Sequence, residues 1–176
     1  MNNLKEYMKA DIPSYSKKQE RELTMSALNM LGEDKYLTIC IEELAELNEV
    51  ITSNTLSKVD YIHTVEEITD VMFCMDVIKL ICGVSNSQLK KKSSKIKKKN
   101  VLITSVRNIA KSQQNVSKYI RWKKDGYDKA VDALNLLNET IPVLIDFFKI
   151  KKKDLEKMRN IKIKRLEERV MYGTLH

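Results

Sequence analysis

Glycine and proline are nearly missing from this chain, with four Gly and two Pro in 176 residues. A sheet protein needs turn chemistry about every ten residues, and these residues supply most of it. Their scarcity excludes a β-rich fold. Together with the abundance of Leu, Lys, Glu, Ile and Met, it predicts an all-α protein. Long hydrophobic runs are missing too. No apolar segment reaches the roughly 20 residues that a spanning helix requires, and the N-terminus has no signal-peptide core. A cytoplasmic protein with no membrane partner is expected. Cysteine is limited to Cys40, Cys74 and Cys82. They form no C-x-x-C pair, have no histidine at metal spacing and sit within apolar stretches, so reduced core thiols are expected.

Aromatic residues make up only 6% of the chain, and this bears on its most basic stretch. Residues 88–99 hold seven lysines: Lys90, Lys91, Lys92, Lys95, Lys97, Lys98 and Lys99. A groove for single-stranded nucleic acid interleaves aromatic side chains for base stacking, and this run has none. The chain also lacks a recognisable DNA-binding motif. Nucleic acid is therefore not the expected partner, and the run reads as a solvated helix face leading into a linker.

What is present suits one domain, or two small repeats sharing a core. The 43% hydrophobic content is enough to build that core. Charge divides the chain sharply. Residues 1–89 carry 8 Lys/Arg against 15 Asp/Glu, a net −7, while residues 90–176 carry 24 against 9, a net +15. The first half can hold a cation and the second an anion, and a metal–nucleotide complex needs both.

Apolar periodicity predicts six helices, at about 17–31, 34–52, 60–81, 103–123, 128–148 and 152–171. Ser16 caps the first, and Gly32 and Gly83 stop the first and third. Residues 1–16 form a lead-in, and Ser53-Asn54-Thr55 reads as a loop. Pro142 should kink or split the fifth helix. Glu167, Glu168 and Arg169 suggest a salt-bridged outer face on the last. The second half faintly copies the first. A shift of 65 sets Val106, Ile109, Ala110 and Val116 under Ile41, Leu44, Ala45 and Ile51. A shift of 66 sets Leu137, Ile141, Leu144, Ile150 and Leu155 under Val71, Met75, Ile78, Val84 and Leu89. The acidic residues are not copied. Arg107, Asn108 and Lys111 replace Glu42, Glu43 and Glu46, while Asp132, Ala133 and Leu136 replace Glu66, Glu67 and Asp70. The expected architecture is a helical bundle of five to six helices. An acidic half at 17–99 packs against a degenerate basic half at 100–176 as one globular unit.

Those acidic residues carry the chemistry. Glu42-Glu43-Leu44-Ala45-Glu46 and Glu66-Glu67-Ile68-Thr69-Asp70 place carboxylates at i, i+3 and i+4, on one side of each helix. Nineteen residues between Glu46 and Glu66 allow the second helix to return beside the first. Carboxylates facing one another across two helices repel, and a hard divalent cation is the usual remedy. Glu49 and Glu66 extend these faces but fit a solvated surface. Asp76 should point away from the Glu67–Asp70 face. His63 and His176 read as surface residues.

This pattern resembles a known family. Glu-Glu-x-x-Glu followed by Glu-x-x-Asp is the signature of the MazG-like all-α nucleoside triphosphate pyrophosphohydrolases, a superfamily that includes dimeric dUTPases and dCTP pyrophosphatases. The chain carries it as Glu42, Glu43, Glu46, Glu67 and Asp70. Gln19 and the Gly32-Glu33-Asp34 turn resemble the family's lead-in, and residues 162–169 resemble the basic closing helix of phage-encoded members. The resemblance covers residues 17–89 and fades beyond them. It implies a dimeric enzyme that splits a nucleoside triphosphate into monophosphate and pyrophosphate. Glu43, Glu46, Glu67 and Asp70 would hold Mg²⁺, with Mn²⁺ as a substitute, and Glu42 would orient water or add a ligand. For the substrate, the basic cluster of Lys118, Arg121, Lys123 and Lys124 around Tyr119 and Trp122 is expected to face the metal, with Arg121 and Lys118 as phosphate contacts. Trp122 reads as a buried anchor rather than a base-stacking platform. The competing reading is a binding protein on the same scaffold, sequestering a nucleotide or nucleotide signal in the basic half.

Overall fold

The computed structural model describes residues 8, 11–56, 60–89, 96 and 100–174, which form six α-helices and no strand. They are α1 (Lys17–Leu31), α2 (Glu33–Leu56), α3 (Tyr61–Cys82), α4 (Val101–Trp122), α5 (Tyr127–Phe147) and α6 (Lys152–Tyr172). All seven lysines of the basic run lie outside the described residues.

Local signals set the helix ends. Ser16 and Gln19 form a reciprocal capping box on α1, and Gly32, at φ +82°, closes it. Glu33 and Asp34 open α2 at once, where acidic side chains favour a helix N-terminus. The Asp60 side chain accepts from the backbone N–H of His63 to start α3, and Gly83 ends it in the left-handed conformation. Two expectations fail. Residues 53–55 are helical, because α2 runs on to Leu56. Thr52 bonds back to the Asn48 carbonyl, and Asn54 reaches across to the Thr64 hydroxyl at 2.9 Å, so these polar side chains are satisfied without leaving the helix. Pro142 does not split α5, which continues unbroken from Tyr127 to Phe147.

The helices stack as three pairs. α2 and α3 pack on each other and form the middle layer. α4 and α5 cover one side, α4 against α2 and α5 against α3. α1 and α6 cover the other, α1 against α2 and α6 against α3. The middle layer is therefore apolar on more than one face. Leu37, Leu44, Leu47 and Ile51 of α2 are fully buried, as are Val65, Ile68, Val71 and Val77 of α3. Positions equated by the 65- and 66-residue shifts are buried in both halves: Leu44 with Ile109, Ile51 with Val116, Val71 with Leu137, Met75 with Ile141, and Ile78 with Leu144.

Polar clasps hold the outer pair in register. The Arg159 guanidinium on α6 donates to both oxygens of Glu20 on α1, at 3.0 and 2.9 Å, and to Asp76 on α3 at 2.8 Å. The Tyr61 hydroxyl donates to Asp154 at 2.7 Å and the Tyr15 hydroxyl to Glu167 at 2.8 Å. Cys40 and Cys74 are buried where α2 meets α3.

The α4–α5 corner is closely packed at Gly126. A Cβ added at buried Gly126 would stand 2.9 Å from the Tyr119 Cα and 3.3 Å from the Lys118 carbonyl, and neither backbone atom can swing away. Gly126→Ala is expected to cost roughly 1–3 kcal/mol through overpacking, read as an earlier urea midpoint. An unchanged midpoint would mean that the corner is looser than described.

Candidate metal centre

Because α2 and α3 lie side by side, the two acidic segments meet at mid-helix. Together with the ends of both helices they line a cavity of about 500 Å³. Among the described residues seven carboxylates face it (Glu43, Glu46, Glu49, Asp60, Glu66, Glu67 and Asp70), along with His63 and the Lys162 ammonium from α6. One carboxylate oxygen from each of Glu43, Glu46 and Glu67 lies within 4.8 Å of the others. Glu67 is only 4% exposed, and its Oε2 is buried without a hydrogen-bond partner. A buried carboxylate oxygen left unpaired is costly, and a cation is one partner that would satisfy it. The donors here are all oxygens, which suits Mg²⁺ or Mn²⁺.

The crowding shows in the acidity of these groups. Burial, and then the charges of Asp70 and Glu46, push the Glu43 carboxyl up to about 7. The same causes raise Glu67 to about 8. Burial raises Asp70 to about 6, although Lys162 pulls against it. Lys162 is the local counter-charge, donating to Asp70 at 2.5 Å and to Glu66 at 2.7 Å. Burial opposes the charge on Lys162, but Asp70 and Glu66 outweigh it and hold its pKa above the ordinary lysine value.

A second cavity of about 200 Å³ lies on the other side of the same carboxylates and shares Glu43, Asp70 and Lys162 with the first. Its remaining walls are apolar and aromatic, with Leu31, Tyr36, Ile39, Phe73 and Leu166, and Arg165 and Arg169 also face it. Carboxylates, cations and a small apolar recess are thus continuous.

Of the expected site residues, the structure brings Glu43, Glu46, Glu67 and Asp70 to one cavity, with Asp70 turned to Lys162. Glu42 is exposed and lines neither cavity, because adjacent residues diverge by about 100° around a helix. Lys118, Arg121, Trp122 and Lys124 line neither cavity. They sit at the end of α4, where Lys123 pairs with Asp34 at the start of α2, roughly 14 Å along α2 from Glu43. Trp122 is 48% exposed with Arg121 against its ring, so it is not a buried anchor. Glu66 is half-buried and paired rather than solvated, and Glu49 and His63, though more open, face the cavity. Asp76 does point away, to Arg159.

The cations that sequence reasoning missed belong to α6. Lys162, Arg165 and Arg169 are spaced three and four residues apart, on one face, and that face is turned inward. A spacing test applied to Lys and Arg, as it was to Glu and Asp, would have found them. No family model, no curated protein and no solved structure matches this chain.

The raised carboxyls give a signed pH effect. In the unfolded chain Glu43 and Glu67 titrate near about 4.3, but in the folded chain near 7 and 8. Between these values the native state holds more protons, so stability falls as pH rises. In EDTA the melting temperature should drop from pH 5 to pH 8, and the stabilisation by Mg²⁺ should grow over the same interval. A melting temperature that rises with pH in EDTA would show that these carboxylates are not crowded.

Proposed function

We propose that the protein is a divalent-cation-dependent nucleoside triphosphate pyrophosphohydrolase, converting a ribo- or deoxynucleoside triphosphate and water into the monophosphate and pyrophosphate. The observation that carries this reading is the buried, unpartnered Glu67 oxygen among facing carboxylates, with the cations of α6 directly alongside. The resemblance of Glu42, Glu43, Glu46, Glu67 and Asp70 to the MazG-like motif points the same way.

Glu43, Glu46 and Glu67 would hold Mg²⁺, with Asp70 beside them. The ion, when bound, would neutralise phosphate oxygens and make water a better nucleophile. The residues would do the rest. A carboxylate of the cluster takes the proton as the water oxygen bonds to the α-phosphorus. The bond from that phosphorus to the bridging oxygen breaks, and Lys162, Arg165 and Arg169 meet the charge that builds on the leaving pyrophosphate. The recess walled by Tyr36 and Phe73 would take the nucleoside end, in preference to the Trp122 cluster.

A binding protein with little turnover is the second reading. It is favoured by a cavity of about 430 Å³ on α4 and α5, lined by Asn100, Thr104, Arg107, Asn108 and Lys111 among others. These include the residues that replace the acidic motif in the second half. As for assembly, both flanks of α2–α3 are covered within one chain, so the proposed dimer would form through the outer helices.

Incubation with a panel of nucleoside triphosphates decides between the readings. Monophosphate and pyrophosphate in Mg²⁺, lost in EDTA, are expected. Glu43→Gln and Asp70→Asn should abolish turnover while the far-ultraviolet circular dichroism stays unchanged, and Lys162→Met should lower kcat by roughly 10²-fold. Full activity in both carboxylate variants would refute the site. Tight nucleotide binding without product would favour the binding protein.

A further inference from the structure

We infer that α3 carries a second cation site beside the first, formed by His63, Glu66 and Glu67 and suited to a first-row transition metal ion of the Zn²⁺, Co²⁺ or Ni²⁺ type. This inference rests on the reading above in one respect, the place of Glu67 among the cation ligands. The three residues stand at i, i+3 and i+4 and therefore share a helix face. One ligand atom from each lies within 4.8 Å of the others.

The geometry around the imidazole is that of ligands rather than of hydrogen-bonded partners. His63 Nδ1 is 3.4 Å from Glu67 Oε1 and 3.9 Å from Glu66 Oε2. Both separations exceed the usual hydrogen-bond range of about 2.7–3.2 Å. Two donors on a tetrahedral ion at bond lengths of about 2.0–2.1 Å stand about 3.3 Å apart, close to the shorter separation. Glu66 gives its Oε1 to Lys162 at 2.7 Å, while its Oε2 turns toward His63. The backbone N–H of His63 is held by the Asp60 carboxylate at 3.2 Å, which anchors the first turn of α3.

Acidic residues on a helix face are commonly just solvated, but two observations separate this group from that case. Glu67 is buried, lines the cavity, and has an Oε2 with no hydrogen-bond partner. The third donor is an imidazole, which adds no charge to the repulsion. Glu67 belongs both to this group and to the group with Glu43 and Glu46, so its two oxygens are available to two ions. Shared ligands of this kind hold metal pairs about 3.5–4 Å apart in phosphoryl-transfer sites. The nitrogen donor sets the preference. Carboxylates alone suit Mg²⁺, whereas imidazole shifts selection toward Zn²⁺, Fe²⁺, Co²⁺ or Ni²⁺. The two sites would therefore differ in their preferred ion, while Co²⁺ is accepted by both kinds of ligand.

Co²⁺ is the probe, added without nucleotide to EDTA-treated protein and followed by its visible absorption and by equilibrium stoichiometry. The chain has only two histidines, so His176→Ala serves as the control. The expected result is two Co²⁺ per chain. His63→Ala should lose one of them and weaken Co²⁺ binding at least about 10-fold, with the Mg²⁺ titration unchanged, and His176→Ala should lose neither. Far-ultraviolet circular dichroism checks that each variant folds. A single Co²⁺ that survives His63→Ala but is lost in Glu43→Gln would overturn this site and leave the proposed function standing. A single Co²⁺ lost in His63→Ala but kept in Glu43→Gln would support this site and remove the first. No bound Co²⁺ would overturn this site, and the absence of Mg²⁺ from the parallel titration would overturn the first as well.

Discussion

Like charge buried between α2 and α3 is the constraint on which the rest of this structure turns. Glu43, Glu46, Glu67 and Asp70 are brought together by two helices that pack through Leu44, Leu47, Val65 and Ile68. The apolar contacts bring the helices together, and the carboxylates at the same level push them apart. Burial first, and then the charges of Asp70 and Glu46, make the Glu43 and Glu67 carboxyls weaker acids. A carboxylate in such a place either keeps its proton, finds a counter-charge or binds a cation.

The outer layer supplies the counter-charge, and much of its design serves to aim it. α6 is fixed to α1 and α3 by Arg159, to the start of α3 by Tyr61 and Asp154, and to the lead-in by Tyr15 and Glu167. These contacts set its register, and the register sets Lys162 over Asp70 and Glu66. Arg159 has a partner for its own charge in Glu20, whose carboxyl it holds below the ordinary range against the cost of burial. One end of α6 is thus a closed set of ion pairs. Further along the helix, among the described residues, Lys162 and Arg165 face seven carboxylates, Arg165 reaching Glu66 at 3.6 Å. That imbalance leaves the carboxylates of α2 and α3 short of positive charge.

The fold was largely legible in the sequence because its determinants are local. Ser16 with Gln19, Gly32, Asp60 and Gly83 mark helix ends through contacts a few residues long, and the apolar spacing of Leu37, Leu44, Leu47 and Ile51 needs only one helix to be recognised. The four central carboxylates were legible for the same reason. The partners across layers were not. Whether Lys162 or Lys118 meets the carboxylates depends on which helix covers α3, and composition points to neither. The loop expected at Ser53-Asn54-Thr55 failed because Asn54 is satisfied by Thr64, a residue on the next helix. The split expected at Pro142 does not occur, and α5 runs past it unbroken from Tyr127 to Phe147.

The chain also contains its own control for the acidic cluster. At the positions equivalent to Glu43, Glu67 and Asp70 the second half has Asn108, Ala133 and Leu136. There the Asn108 amide donates to the Thr140 hydroxyl at 3.1 Å and Ala133 is fully buried, while Arg107 and Lys111 line a cavity with Asn108 and Leu136, so among the described residues no carboxylates face one another at this level. The same kind of helix pair therefore packs in the second half without a carboxylate cluster at this level. Replacing buried charge with well-packed neutral groups is often neutral or stabilising, and selection for stability alone would favour the second arrangement in both halves. The first half instead keeps a repulsive cluster with an unpaired buried oxygen. A local cost without structural return is what a functional site is expected to show, and a bound cation would relieve this particular cost, as a retained proton does in its absence.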